Sequence, residues 1–153
     1  MAFLEDKCTF RIYNKALLDS GALFLCGDKD LDEFFKEDAF LQEKELLCKN
    51  YCFTLDENPQ KIVCASHYLT TGIKKIPNSR KKKIEKNIPR KKHYASYPAV
   101  MIGRLGVISC WQDKHVGSQV LNFIKAWFID PLNKTPLFSV KRTVTLEILC
   151  HSR

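Results

Sequence analysis

The chain has 153 residues, with 45% hydrophobic and 27% charged residues and a formal net charge of +8. That length fits one α/β domain with a real core, and the balance excludes a disordered chain. No apolar run approaches the ~18–20 residues of a membrane helix, and the MAFLEDKCTF start lacks a basic stretch followed by an apolar one, so a cytoplasmic protein is expected. Seven cysteines, odd in number and without a C-x-x-C pair, suggest neither a disulfide framework nor a zinc ribbon; most are expected to be small buried hydrophobes.

In chain order, Cys8 to Leu18 is strand-like, with Phe10 and Ile12 alternating. Gly27 and Asp28 supply a break and a cap before Asp30 to Leu47. There Leu31, Phe34, Phe35, Ala39 and Leu46 follow helical spacing, and Asp30, Asp32 and Glu33 favour the positive end of the helix dipole. Asn50 to Leu55 and Ile62 to Leu69 are rich in strand formers around the polar turn Asp56-Glu57-Asn58-Pro59, which predicts a β-hairpin.

Between Lys74 and Lys92, ten basic residues face one acid, Glu85, a net of +9 in a chain of +8. Gly72, Pro77 and Pro89 punctuate this run, and Tyr94 and Tyr97 lie just beyond it. It reads either as a solvated connection or as a surface that steers a phosphate-bearing or acidic partner.

Tyr97 to Ser109 is a further strand, in which Gly103 and Gly106 permit close backbone approach or a bulge. A short loop, Cys110-Trp111-Gln112-Asp113-Lys114, leads into a helix from about His115 to Ile129, with Val116, Val120, Phe123, Ile124 and Trp127 on one stripe and Pro131 past its end. The start of that helix exposes backbone N–H donors and partial positive charge, a favourable place for phosphate. Gly117 removes a side chain between backbone and ligand, and Lys114 adds a charge. No repeat or Gly/Ser linker divides the chain, so residues 1–153 are expected to form one domain.

The string RLGVISCWQDKHVGSQVLNFI, from Arg104 to Ile124, resembles the coenzyme A-binding motif of the GNAT family of N-acetyltransferases. In that family a strand reading roughly R-L-x-V precedes Q/R-x-x-G-x-G/A and an apolar helix. Arg104, Leu105 and Val107 match the strand, Gln112 and Gly117 the loop, and Val116, Val120 and Leu121 the helix, without an insertion. His115 departs from the pattern, standing where the first family glycine would be; it reads either as a phosphate contact or as a solvent-facing residue.

The order strand, acidic helix, hairpin, basic connection, strand and cofactor helix extends the resemblance to about residues 8–130. Gly27, Asp28, Asp30 and Leu31 bring it nearest the small bacterial toxin-like acetyltransferases. The resemblance implies an α/β (α+β) fold with a central mixed, mainly antiparallel sheet flanked by helices. It implies acetyl-CoA as co-substrate, held by Leu105, Val107, Gln112, Asp113, Lys114, His115, Val116, Gly117 and Ser118. It further implies acetylation of a primary amine on a small molecule, a protein or aminoacyl-tRNA, the last suited by the basic segment, and an oligomer is expected from an exposed sheet edge.

The acids of the first helix, His67 and Tyr97 are candidate general bases. Toxin-like members carry a tyrosine after the next strand as general acid, and this chain has none after Tyr97. From Pro136 to Arg153 the tail matches no family pattern, as expected of a truncated or altered C-terminus, although Val144, Leu146 and Ile148 alternate like a strand. The second functional class is therefore a catalytically impaired coenzyme A-binding remnant, or a nucleic-acid-binding module acting through residues 74–92.

Overall fold

The computed structural model describes residues 2–73 and 97–130. The basic segment 74–92 and the tail 136–153 lie outside the described residues. Four antiparallel strands form one sheet in the order β1-β2-β3-β4: β1 (Cys8–Ile12), β2 (Lys49–Leu55), β3 (Asn58–Ile73) and β4 (Tyr97–Val107). The predicted hairpin is present. Its turn is tighter than expected, with Asp56 and Glu57 alone between paired Leu55 and Asn58. Asp56 is tied back to the start of the sheet, its Oδ1 accepting from Thr9 Oγ1 at 2.7 Å and its N–H donating to the Lys7 carbonyl at 2.9 Å.

Two helical layers cover the sheet. On one face lie α1 (Phe3–Lys7) and α5 (Val116–Ile129); on the other lie α2 (Lys15–Asp19), α3 (Lys29–Glu33), a π-helical turn (Phe34–Asp38) and α4 (Ala39–Lys44). The stripe predicted for the last helix makes the first core: Val116, Val120 and Ile124 are buried, while Phe123 and Trp127 pack on Phe10, Tyr51 and Phe53. The second core is built on Phe35, which is fully buried with Phe24, Phe34 and Tyr13 edge-on around it. The π-helical turn places the Phe35 carbonyl where the buried Tyr13 hydroxyl donates to it at 2.6 Å.

Three local expectations change. The helix predicted from Asp30 to Leu47 ends at Lys44, and Leu46, placed on its apolar stripe, is left-handed and exposed. The strand predicted from Cys8 to Leu18 stops at Ile12, because Asn14 caps a new helix through Oδ1 to the Leu17 N–H at 2.9 Å, and Lys15, Ala16, Leu17 and Leu18 all tolerate the helical state. The strand predicted to Ser109 ends at Val107 and passes into a 3-10 turn, Ser109–Trp111. The Asp28 cap holds as expected, its Oδ1 accepting the Leu31 N–H at 3.0 Å.

Both glycines of β4 are used. Tyr68 pairs with Ile102 while His67 pairs with Arg104, so Gly103 is an extra residue, a β-bulge. A one-residue insertion reverses the side-chain parity of the strand. Ile102, Leu105 and Val107 therefore all pack against the α5 core, whereas Arg104 turns to the α3 face. A Cβ on Gly103 would stand 2.7 Å from His67 Cδ2, and one on Gly106 would stand 2.7 Å from Phe24 Cζ. The α3 layer is thus seated directly on the strand backbone.

Five of the six described cysteines are buried; Cys110 is exposed. Burial pushes the Cys52 thiol up to about 12, as expected for a side chain that packs as a small hydrophobe.

Candidate active site

The loop between β4 and α5 is anchored from below. Gln112 Nε2 donates to the Val107 carbonyl at 2.9 Å and to the Cys26 carbonyl at 2.6 Å, while the Cys26 N–H donates to Asp32 Oδ1 at 2.7 Å. The Gln112 amide is thereby committed to holding the loop against α3 and the end of β4. Both Nε2 protons are used in this way.

Past Gln112 the chain takes two left-handed residues, Asp113 with φ 60° and His115 with φ 56°. His115 stands as N-cap of α5 without a side-chain cap. This conformation costs a non-glycine residue about 1–2 kcal/mol, so glycine would suit the position better than histidine. We expect His115→Gly to raise stability by about 1 kcal/mol, read as a higher urea midpoint with unchanged slope.

Helix geometry leaves the N–H groups of Val116, Gly117 and Ser118 without intrahelical acceptors, and the first ladder bond runs from the Gln119 N–H to the His115 carbonyl at 3.1 Å. Val116 is buried as a whole residue in the α5 core, whereas Ser118 is exposed. Gly117 bears on fit. Its φ is not left-handed, and among the described residues a Cβ built there meets nothing within 4 Å, so neither its backbone conformation nor packing among those residues requires glycine. A small residue with open space in front of an uncapped helix start is what a pyrophosphate needs. Lys114, exposed, holds its ammonium 4.6 Å from the centroid of the Trp111 ring.

Leu105 and Val107 are half-buried on the α5 face, and the other named loop residues gather at the start of α5. Arg104 lies on the opposite face, paired with Asp30 and with its guanidinium carbon 4.5 Å from the Phe34 ring. That ion pair joins residues 74 apart in the chain and was not foreseen from sequence. A basic residue toward the end of β4 and an acid in α3 were its only signal.

The candidate bases are mostly engaged. Asp30 pairs with Arg104, Asp32 accepts from Cys26, and Glu43 receives Lys49 Nζ at 3.1 Å and Asn50 Nδ2 at 3.0 Å. The side chain of Tyr97 lies outside the described residues. His67 is 3% exposed, and Asn50 Oδ1 lies 2.8 Å from its Nδ1. Asn50 Nδ2 already donates to the Ala39 carbonyl at 2.9 Å and to Glu43, so Oδ1 is the acceptor and His67 Nδ1 donates.

Burial, reinforced by the Arg104 charge, lowers the His67 pKa from 6.5 to about 4. A group whose folded pKa lies below its unfolded value takes up protons first in the unfolded chain, so its stabilisation is complete above pH 6.5 and lost as pH falls toward 4. Each pH unit in that window should cost about 1.4 kcal/mol from this residue. Urea melts at pH 7, 5.5 and 4.5 check this: the loss should shrink clearly in His67→Gln, and an equal loss in both proteins would contradict it.

Among the described residues no group of three or more His, Cys, Asp or Glu side chains is placed to hold a metal ion, and no helix is long and apolar enough to cross a membrane.

No family model matches the sequence, and no curated protein matches it. Solved structures do. AtaT complexed with acetyl-methionyl-tRNAfMet superposes with a TM-score of 0.59 at 19% identity, over 78% of this chain and 69% of that one. A tyrosine-to-phenylalanine variant of KacT gives 0.60 at 18% identity, over 80% and 70%. AtaTR bound with acetyl-CoA gives 0.55 at 20% identity, over 80% and 69%. At this identity the likeness is one of fold: the chain has the GNAT-like fold of the toxin acetyltransferases AtaT and KacT.

Proposed function

We propose that this chain is an acetyl-CoA-dependent N-acetyltransferase acting on a primary amine, with the co-substrate held between the start of α5 and the end of β4. The observation that carries this reading is Gly117: open space before an uncapped helix start, in a fold shared with a protein solved with acetyl-CoA. In this reading the N–H groups of Val116, Gly117 and Ser118 and the Lys114 ammonium bind the pyrophosphate. The backbone of Leu105 and Val107 lines the pantetheine arm, with Asp113 and His115 shaping the loop and Gln112 fixing it. Acetyl-CoA supplies the activated acetyl group, and the protein supplies position and a polar backbone at the reacting carbonyl.

For the acceptor, the +9 segment 74–92 supports a polyanion. Together with AtaT solved with acetyl-methionyl-tRNAfMet, it favours aminoacyl-tRNA over a small amine. The test is thiol release from acetyl-CoA across a panel of free amines, peptides and aminoacyl-tRNAs. Release above acceptor-free hydrolysis with at least one amine is expected, and with aminoacyl-tRNA it should fall as salt rises. Binding of acetyl-CoA without release on any acceptor would instead leave a coenzyme A-binding remnant.

A further inference from the structure

The N-terminal helix α1 packs against the residues that lead into the candidate loop and against the first turns of α5. Phe3 stacks on Trp111 with ring centroids 4.2 Å apart and planes 21° from parallel. The Leu4 N–H donates to Gln119 Oε1, in the first turns of α5, at 3.1 Å, and the Leu4 side chain is fully buried in the core that holds Val116 and Val120. The indole that packs on Phe3 also carries the Lys114 ammonium, 4.6 Å from its centroid. Among the described residues the buried Trp111 Nε1 has no hydrogen-bond partner, and the ring packs on Phe3.

Lys114 is the only positively charged side chain from Gln112 to Ser118. A lysine is a flexible point charge, and an exposed one spreads its ammonium over many rotamers unless something holds it. An aromatic face attracts the ammonium and leaves its N–H donors free to meet an anion.

We infer that Trp111 is a positioning residue: braced by Phe3, its ring holds the Lys114 ammonium at the phosphate-facing loop, so α1 sets how strongly the loop binds a phosphate-bearing ligand. This rests on the acetyl-CoA reading of that loop. Trp111 acts only through Lys114, which separates a positioning role from a general contribution to the fold. Once Lys114 has lost its charge, the indole should matter little to affinity.

The test is a double-mutant cycle on the full chain, with coenzyme A as probe, followed by calorimetry. Trp111→Leu and Lys114→Met should each weaken binding about three- to fivefold. The double variant should bind as Lys114→Met does, and Trp111→Phe, which keeps a ring face, should stay within about twofold of wild type. If Trp111→Leu does not fold, Phe3→Leu takes its place in the cycle, with a loss expected in wild type and none in the Lys114→Met chain. Losses that simply multiply, or a Trp111→Phe variant as weak as Trp111→Leu, overturn the positioning role. Absence of binding by the wild-type chain overturns the acetyl-CoA reading and this inference with it; multiplicative losses in a chain that binds overturn the positioning role alone.

Discussion

Gly117→Leu is expected to leave the fold intact and to remove coenzyme A binding. Among the described residues a Cβ at this position meets nothing within 4 Å, and the backbone is not left-handed, so the added side chain meets no described neighbour. Leucine is also a better helix former than glycine by about 0.8 kcal/mol in a helix interior, and part of that gain applies near the N-terminus, so the melting temperature should be unchanged or higher. The same side chain stands where a pyrophosphate would meet the N–H groups of Val116, Gly117 and Ser118. Losing one or more hydrogen bonds to a charged group costs about 1.5–3 kcal/mol each, or roughly 10- to 150-fold in affinity. Thermal melts and calorimetry on the same samples check both halves. A variant that binds coenzyme A as wild type does would move the ligand away from this helix start, and one that unfolds would give Gly117 a structural role.

Phe35→Ala is expected to give a large loss of stability. Phe35 is fully buried, and the rings of Tyr13, Phe24 and Phe34 all stand against it. Truncating a buried phenylalanine removes its transfer free energy and leaves a cavity, together about 3–5 kcal/mol. For a domain of this size the melting temperature should fall by roughly 10 °C. The effect should reach the candidate site. Phe24 lies against Gly106, and the Cys26 carbonyl that accepts from Gln112 belongs to the same layer. Calorimetric melts read the stability, and a loss below 1 kcal/mol would mean that the α3 layer is held elsewhere.

The elements visible in the sequence are those specified by neighbours in the chain. The α5 stripe repeats over fourteen residues, the Asp28 cap lies three residues from the N–H it accepts, and the hairpin joins adjacent strands. Helix α2 was hidden because five residues carry too little periodicity, and its Asn14 cap is visible only when the strand before it is known to stop.

The site divides in the same way. Its location at the loop from Gln112 to Ser118 was legible from the strand-loop-helix order and the single glycine. The commitments of its side chains were not, because they depend on distant chain segments: Gln112 donates to a carbonyl 86 residues away, and Arg104 crosses to Asp30 through a bulge whose parity change the sequence does not display. His115 lies between these cases. Its departure from the family glycine was visible at once, and the left-handed conformation that makes glycine favourable there required the backbone.

Calorimetric titration of the 153-residue chain with acetyl-CoA tests whether this helix start binds the co-substrate. One site per chain is expected, with affinity weakened at least about tenfold by Gly117→Leu and severalfold by Lys114→Met. No heat of binding from a folded wild-type chain, or binding indifferent to both substitutions, would contradict it.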